Sequence, residues 1–299
     1  MKNTLIWGIV LVVIVLGAVL LFRGAGDDAG DRVEDSGDST GLSDQNSNAT
    51  KTTATTTGST TVDDKPETVI GKSAGGNNIV VYHFGAGEKE ILFVGGIHGG
   101  YSPNTVQVAT LLVDYFTKNP AEVPSNLKIT IVPTLNPDGF IKIAGSQLGK
   151  EAGRFNDNDV DLNRNFDCDW QAIGKWQTKD VSGGTSAFSE PESLAIKNYI
   201  ETRGVDAVLV WYAAAGGVFA SNCHDGVLPK TTELTNAFAR ASGYPAYNEF
   251  NFYEVTGDMT NWLAKEGIPA ISVLLTDHSS VEWEKNLAGI KAFITEFVK

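Results

Sequence analysis

Apolar and polar positions divide the chain into three stretches. Residues 5–22 are apolar, broken only by small glycines and an alanine, and bounded by Lys2 and Arg23. Residues 24–65 are Asp, Ser, Thr, Gly and Asn with almost no large apolar side chain. From about residue 66 to Lys299 short apolar runs alternate with amphipathic ones. Five of the short runs, residues 78–84, 90–94, 127–132, 206–212 and 270–275, are β-rich. Several are nearly all apolar, as strands buried on both faces are. Helical segments lie between them. Residues 103–117 begin at Ser102-Pro103, and residues 190–202 take Ser189 as cap with Pro191 in the first turn. Residues 231–242 stop at Gly243, a left-handed cap. A short helix holds Trp262 and ends near Gly267, and a last one covers residues 281–298. Strands alternating with helices predict an α/β domain: an open, twisted, mostly parallel mixed sheet with helices on both faces. Ligands of such sheets sit beyond the carboxyl ends of the strands, where His98, Tyr212 and Leu274 fall.

The first stretch has the length of a short membrane-spanning helix, with no clean small-x-small cleavage site at its end, Gly24-Ala25-Gly26 being a poor one. Residues 1–23 are therefore expected to be an uncleaved membrane anchor. Residues 24–65 cannot bury enough surface to offset chain entropy and are expected to be a disordered tether. Residues 66–299 have the length of one large domain, with no internal repeat. The balance of 36 Asp and Glu against 23 Lys and Arg argues against nucleic acid as a partner. Cys168 and Cys223 are the only cysteines. Behind an anchor they are expected to form a disulfide, with the domain outside the cytoplasm. Closing so long a loop is worth on the order of 3–4 kcal/mol in the chain-entropy view. Asn48-Ala49-Thr50 is a glycosylation sequon, relevant where the host glycosylates.

The chemistry concentrates in Asp161-Leu162-Asn163-Arg164-Asn165-Phe166. A guanidinium flanked by amides makes a planar, charge-assisted clamp for a carboxylate. Arg154 and the Asn136-Pro137-Asp138-Gly139 turn precede it, and Ser189-Glu190-Pro191-Glu192 follows. In that order the segments resemble the zinc carboxypeptidases, the carboxypeptidase A-like family, over nearly all of residues 75–299.

The resemblance implies a zinc site of two His and one Glu, a carboxylate base and an oxyanion-holding cation. His98, in Gly95-Gly96-Ile97-His98-Gly99-Gly100, matches the first metal histidine. The glutamate that should follow is missing: its place falls on Tyr101 or Ser102. The second histidine is replaced by Tyr212, a poor zinc ligand at neutral pH because a phenol titrates near pH 10. The catalytic glutamate is replaced by Leu274. Asp277 and His278 lie just beyond, as a solvated loop pair. The substrate side survives. Asn163 and Arg164 match the pair that holds a peptide's terminal carboxylate, with Arg164 as main anchor. Arg154 matches the oxyanion arginine and Tyr253 the mobile tyrosine over the substrate. Thr260, near where the family reads the terminal side chain, is neutral.

The expected function is that of a membrane-anchored, extracytoplasmic pseudoenzyme that binds C-terminal carboxylates of peptides or proteins, cell-wall peptides among them. No cofactor is expected. Two alternatives stand beside it: an active zinc carboxypeptidase with non-standard ligands, and a purely structural ectodomain.

Overall fold

The computed structural model describes residues 65–143 and 149–299. The expected anchor and all of the tether but Lys65 lie outside the described residues. Among the described residues no helix is long and apolar enough to cross a membrane.

Eight strands form one mixed sheet. In chain order they are β1 (Glu67–Lys72), β2 (Asn78–Phe84), β3 (Lys89–Val94), β4 (Leu127–Val132), β7 (Ala207–Ala213), β8 (Gly217–Ala220), β9 (Ala246–Tyr247) and β10 (Ala270–Leu275). Their spatial order is β1-β2-β4-β3-β7-β10-β8-β9. The centre, β4-β3-β7-β10, is parallel, while β1, β2 and β8 pair antiparallel with their neighbours on the inner side. A separate hairpin joins β5 (Ile173–Trp176) to β6 (Lys179–Ser182).

Period-two alternation splits the central strands between two cores. Leu92, Val94, Val208 and Val210 face one side, where α3 (Pro191–Arg203) and α5 (Met259–Lys265) pack. Ile91, Phe93, Leu209 and Trp211 face the other, under α1 (Pro103–Lys118), α4 (Pro229–Ser242) and α6 (Trp283–Phe297). Both faces are covered, so β10 reads as six buried residues in a row. Truncating one such side chain, Leu92→Ala, is expected to cost about 2–5 kcal/mol.

The α/β class, the five expected strands and the helices on both faces match the structure, with ends shifted by a residue or two. Other details differ. Strand β1 is an edge strand with a glycine, and β8, β9 and the hairpin span two to four residues each. Runs so short carry no readable period. The Asn136-Pro137-Asp138-Gly139 turn continues into a helix, α2 (Pro137–Lys142), because the Asn136 side chain accepts the Gly139 N–H. Helix α3 is capped at Glu190, with no side-chain capping bond; the Ser189 hydroxyl donates to the Glu190 carboxylate instead.

Candidate functional site

Strand β3 ends at Val94, and Gly96 turns the chain with φ +63. A Cβ there would lie 2.8 Å from the Val106 side chain and 2.9 Å from the Thr134 backbone. That turn delivers His98 to the carboxyl end of the sheet. Tyr212 and Leu274 sit side by side near the ends of β7 and β10, paired in parallel register. The three residues share a cavity of about 430 Å³ with Arg154, Asn163 and Arg164. Phe250, Phe252, Tyr253, Tyr101 and Trp176 also line it.

The polar hexapeptide from Asp161 to Phe166 is buried. Leu162 and Phe166 plug into the core, and the residues between them make a 3₁₀ turn, with Asp161 accepting the Asn163 N–H. Asn165 donates to the carbonyls of Gly183 and Ser186 and accepts from the Glu190 N–H. Gly257 closes the back of the turn at φ +64, with its carbonyl on the Phe166 N–H and its N–H on the Cys168 carbonyl. A Cβ at Gly257 would fall 2.3 Å from the Arg164 carbonyl oxygen.

The cations differ in how far they are committed. Arg154 donates through Nε to Asp161 Oδ2 at 2.8 Å, and its guanidinium lies 4.5 Å from the Trp176 ring centre. Among the described residues its terminal nitrogens make no hydrogen bond. Arg164 donates through Nε and Nη2 to the Lys175 carbonyl and through Nη1 to the Asn163 carbonyl. Only the second hydrogen on each of its terminal nitrogens remains. Asn163 donates to Asp258 at 2.8 Å, and its oxygen accepts from the Tyr212 hydroxyl and the Met259 N–H.

His98 is buried and, among the described residues, neither ring nitrogen has a hydrogen-bond partner. Nε2 lies 3.5 Å from Asp161 Oδ1, too far for a good bond. Burial, and then the Arg154 charge, lower the His98 pKa to about 4, so the ring is neutral at neutral pH. Burial alone would push the Asp161 carboxyl up, but Arg154, His98 and Arg164 reverse this and hold it well below the usual carboxylate range. The Tyr212 phenol is raised well above its ordinary value, first by burial and then by the Asp258 charge.

These residues do not fit zinc. Three protein ligands are needed. Here one neutral histidine faces a phenol held protonated by burial, an apolar Leu274, and Tyr101, whose ring packs 5.1 Å from Trp176. Ser102, the other candidate for the missing glutamate, is fully buried and hydrogen-bonds His278 Nδ1 at 3.1 Å. Among the described residues, the only group of three His, Cys, Asp or Glu donor atoms within ligand reach lies elsewhere, at Cys168, Cys223 and His224.

Tyr253 lines the cavity against Phe250, at 5.0 Å between ring centres. Thr260 also lines it, donating to Asp258 Oδ1 and bonded to the Ser272 hydroxyl. His278 is not in a solvated pair with Asp277. It is half-buried, lines the cavity and packs 4.4 Å from the Tyr101 ring, because Ser102 draws it inward. Asp277 is half-buried too, and accepts from the backbone of Ser279 and Ser280. Trp176, Asp258 and the aromatic run Phe250-Asn251-Phe252-Tyr253 were not expected beyond Tyr253. Only the last left a trace in the sequence, as adjacent aromatics before Tyr253. Cys168 and Cys223 are bridged, with 6.2 Å between their Cα atoms.

The carboxypeptidase M of Mus musculus is 27% identical over 180 residues, which cover 56% of this chain and 35% of its own length. The carboxypeptidase B of Astacus astacus is 29% identical over 150 residues, covering 44% and 48%. The chain thus spans less than half the length of these relatives. In fold it is similar to carboxypeptidase A from Helicoverpa armigera, with a TM-score of 0.62 and 21% identity over 77% of this chain and 68% of that one. It is also similar to the murein-tripeptide amidase MpaA from Escherichia coli O157, with a TM-score of 0.55 and 21% identity over 77% and 91%. The family profile described as zinc carboxypeptidase matches residues 60–281. The chain therefore belongs to the zinc carboxypeptidase family.

Proposed function

We propose that this domain is a pseudoenzyme of its family: a binding module for the C-terminal carboxylate of peptides, without zinc-dependent hydrolysis. One observation carries the reading. The cavity keeps two arginines, yet at the metal and base positions it is lined by His98, Tyr212 and Leu274. Losing a general base or a transition-state group costs ~10²–10⁴-fold in rate, and losing the metal removes what generates the nucleophile. Arg154 and Arg164 remain for the carboxylate, with Asn163 and Tyr253 at the same cavity. Carboxypeptidases of the family act on peptide C-termini, and the MpaA neighbour is by its title a murein-tripeptide amidase. Peptide acids, cell-wall peptides among them, are the class to test. We further propose that residues 1–23 anchor the domain at a membrane, on the extracytoplasmic side. The apolar run of residues 5–22 and the Cys168–Cys223 bridge support this placement.

A purely structural ectodomain is favoured by one feature: Asn163 donates to Asp258, an internal carboxylate, and Arg164 is largely spent on backbone carbonyls. Calorimetric titration with a peptide acid and its amide separates the two. Binding of the acid at least tenfold tighter than the amide supports the carboxylate module. Equal binding of acid and amide favours the structural reading, and release of the terminal residue during titration favours an enzyme.

A further inference from the structure

Outside the cavity, four potential metal donors meet at one surface point. Cys168 and Cys223 are joined there, and each is followed directly by a donor side chain, Asp169 and His224. Both followers hold left-handed backbone, φ 55 and φ 63, a conformation uncommon for non-glycine residues. His224 Nε2 reaches Asp169 Oδ1 at 2.8 Å, and Cys168 Sγ lies 3.9 Å from Asp169 Oδ2. One ring nitrogen of His224 and both sulfurs lie within 4.8 Å of one another. The sulfurs are buried, while the side chains of His224 and Asp169 are 72% and 51% exposed and free to adjust.

In the disulfide the sulfurs are not thiolates and hold no hard or borderline cation. The reduced pair is different. Two thiolates, one imidazole and one carboxylate are a four-donor set of the kind zinc takes in tetrahedral geometry. We propose that Cys168, Cys223, His224 and Asp169 form a zinc site that exists only when the disulfide is reduced. A reducing dithiol supplies two electrons and two protons to the S–S bond. That bond breaks to two thiols while the dithiol closes to its own disulfide. Zn²⁺ then displaces both thiol protons and forms two Zn–S bonds, with His224 and Asp169 completing the shell.

The position gives the exchange a consequence. The Cys168 carbonyl accepts the Gly257 N–H at 2.7 Å, one residue before Asp258, and Asn222, next to Cys223, donates its N–H to Asn261. Both Asp258 and Asn261 line the cavity. Either the covalent bond or the bound cation therefore holds the same cavity wall, so the zinc form keeps the fold under conditions that remove the bridge.

The test uses the full chain reduced with a phosphine, freed of reductant without oxygen, and titrated with Co²⁺ and then Zn²⁺. The expected result is one Co²⁺ per chain, with thiolate-to-metal charge transfer and tetrahedral ligand-field bands that Zn²⁺ abolishes. The oxidised chain should give neither. Zinc should also raise the melting midpoint of the reduced chain. His224→Ala and Asp169→Asn, which leave both thiols, should each weaken zinc at least tenfold against a chromophoric chelator. A reduced chain that takes up no more metal than the oxidised one overturns the proposal. So does unchanged affinity in both of those variants, which would mean adventitious thiol binding. A reduced chain that unfolds and is not refolded by zinc overturns it as well.

Discussion

The two halves of the cavity differ in origin and in chemistry, one built from 3₁₀ turns and the other at the ends of β3, β7 and β10. On one side Arg154, Asp161, Asn163 and Arg164 are locked into a buried hydrogen-bonded lattice with Asp258 and the Lys175 carbonyl. On the other, His98 has no hydrogen bond at either nitrogen among the described residues, and the Leu274 side chain offers none. A polar group woven into its neighbours is costly to remove, because each loss strands a buried partner. A ligand or base that serves only the metal and its water strands no protein partner when Tyr or Leu stands in its place. On the proposed reading, the contrast explains how the arginine lattice stands beside a half with a single histidine. It also gives the arginines a structural role whether or not they bind a carboxylate.

The largest expected effect breaks the lattice. Asp161→Ala leaves the buried Arg154 charge without its carboxylate, and losing one partner of a buried pair costs about 3–5 kcal/mol. Urea denaturation should show that loss, and a change under 1 kcal/mol would mean that Arg154 is solvated rather than held. Next comes the binding role. Arg154→Ala removes the cation with free terminal nitrogens, and a charge-assisted contact is worth about 1.5–3 kcal/mol. A peptide acid should therefore bind roughly ten- to a hundredfold more weakly by calorimetry, with the amide little changed. Arg164→Ala is expected to weaken the acid too, and both variants lose stability: Arg164→Ala strands the Lys175 and Asn163 carbonyls, and Arg154→Ala strands the buried Asp161 carboxylate. Measuring folding and binding on both variants separates lattice from clamp.

The smallest effect probes the other half. His98 has its pKa lowered to about 4, against about 6.5 in the unfolded chain. Between those values the unfolded state binds more protons, so stability is fully present above about pH 6.5 and is lost as pH falls toward 4. Over the single unit from 6.5 to 5.5 the loss is at most about 1.4 kcal/mol. His98→Gln should flatten that part of the urea-midpoint profile. An unchanged slope would show that His98 is not held neutral by burial.

The sheet was legible because β3, β4, β7 and β10 are buried on both faces and therefore apolar almost throughout. Strands β1, β8 and β9 were not, since an edge position or a length of two to four residues leaves no pattern. The site residues tied to motifs, His98, Arg154, Asn163, Arg164, Tyr212, Tyr253 and Leu274, do converge on one cavity. What one-dimensional spacing could not give was the partner of each group. That Asp258 faces the Asn163 amide, 95 positions away, and that Ser102 holds His278 across 176, are products of tertiary folding. The sequence likewise placed Asp161 to Asn165 in a polar turn, but their burial depends on strands and loops brought in from residue 175 to residue 258.

Elemental analysis decides whether the histidine half of the cavity holds zinc. The sample is the full chain with its disulfide intact, purified without chelator, so that the cysteine cluster cannot contribute thiolates. Well under one zinc per chain is expected, with no change on His98→Ala. One tightly held zinc per chain that His98→Ala removes would restore the reading of a working metallocarboxypeptidase.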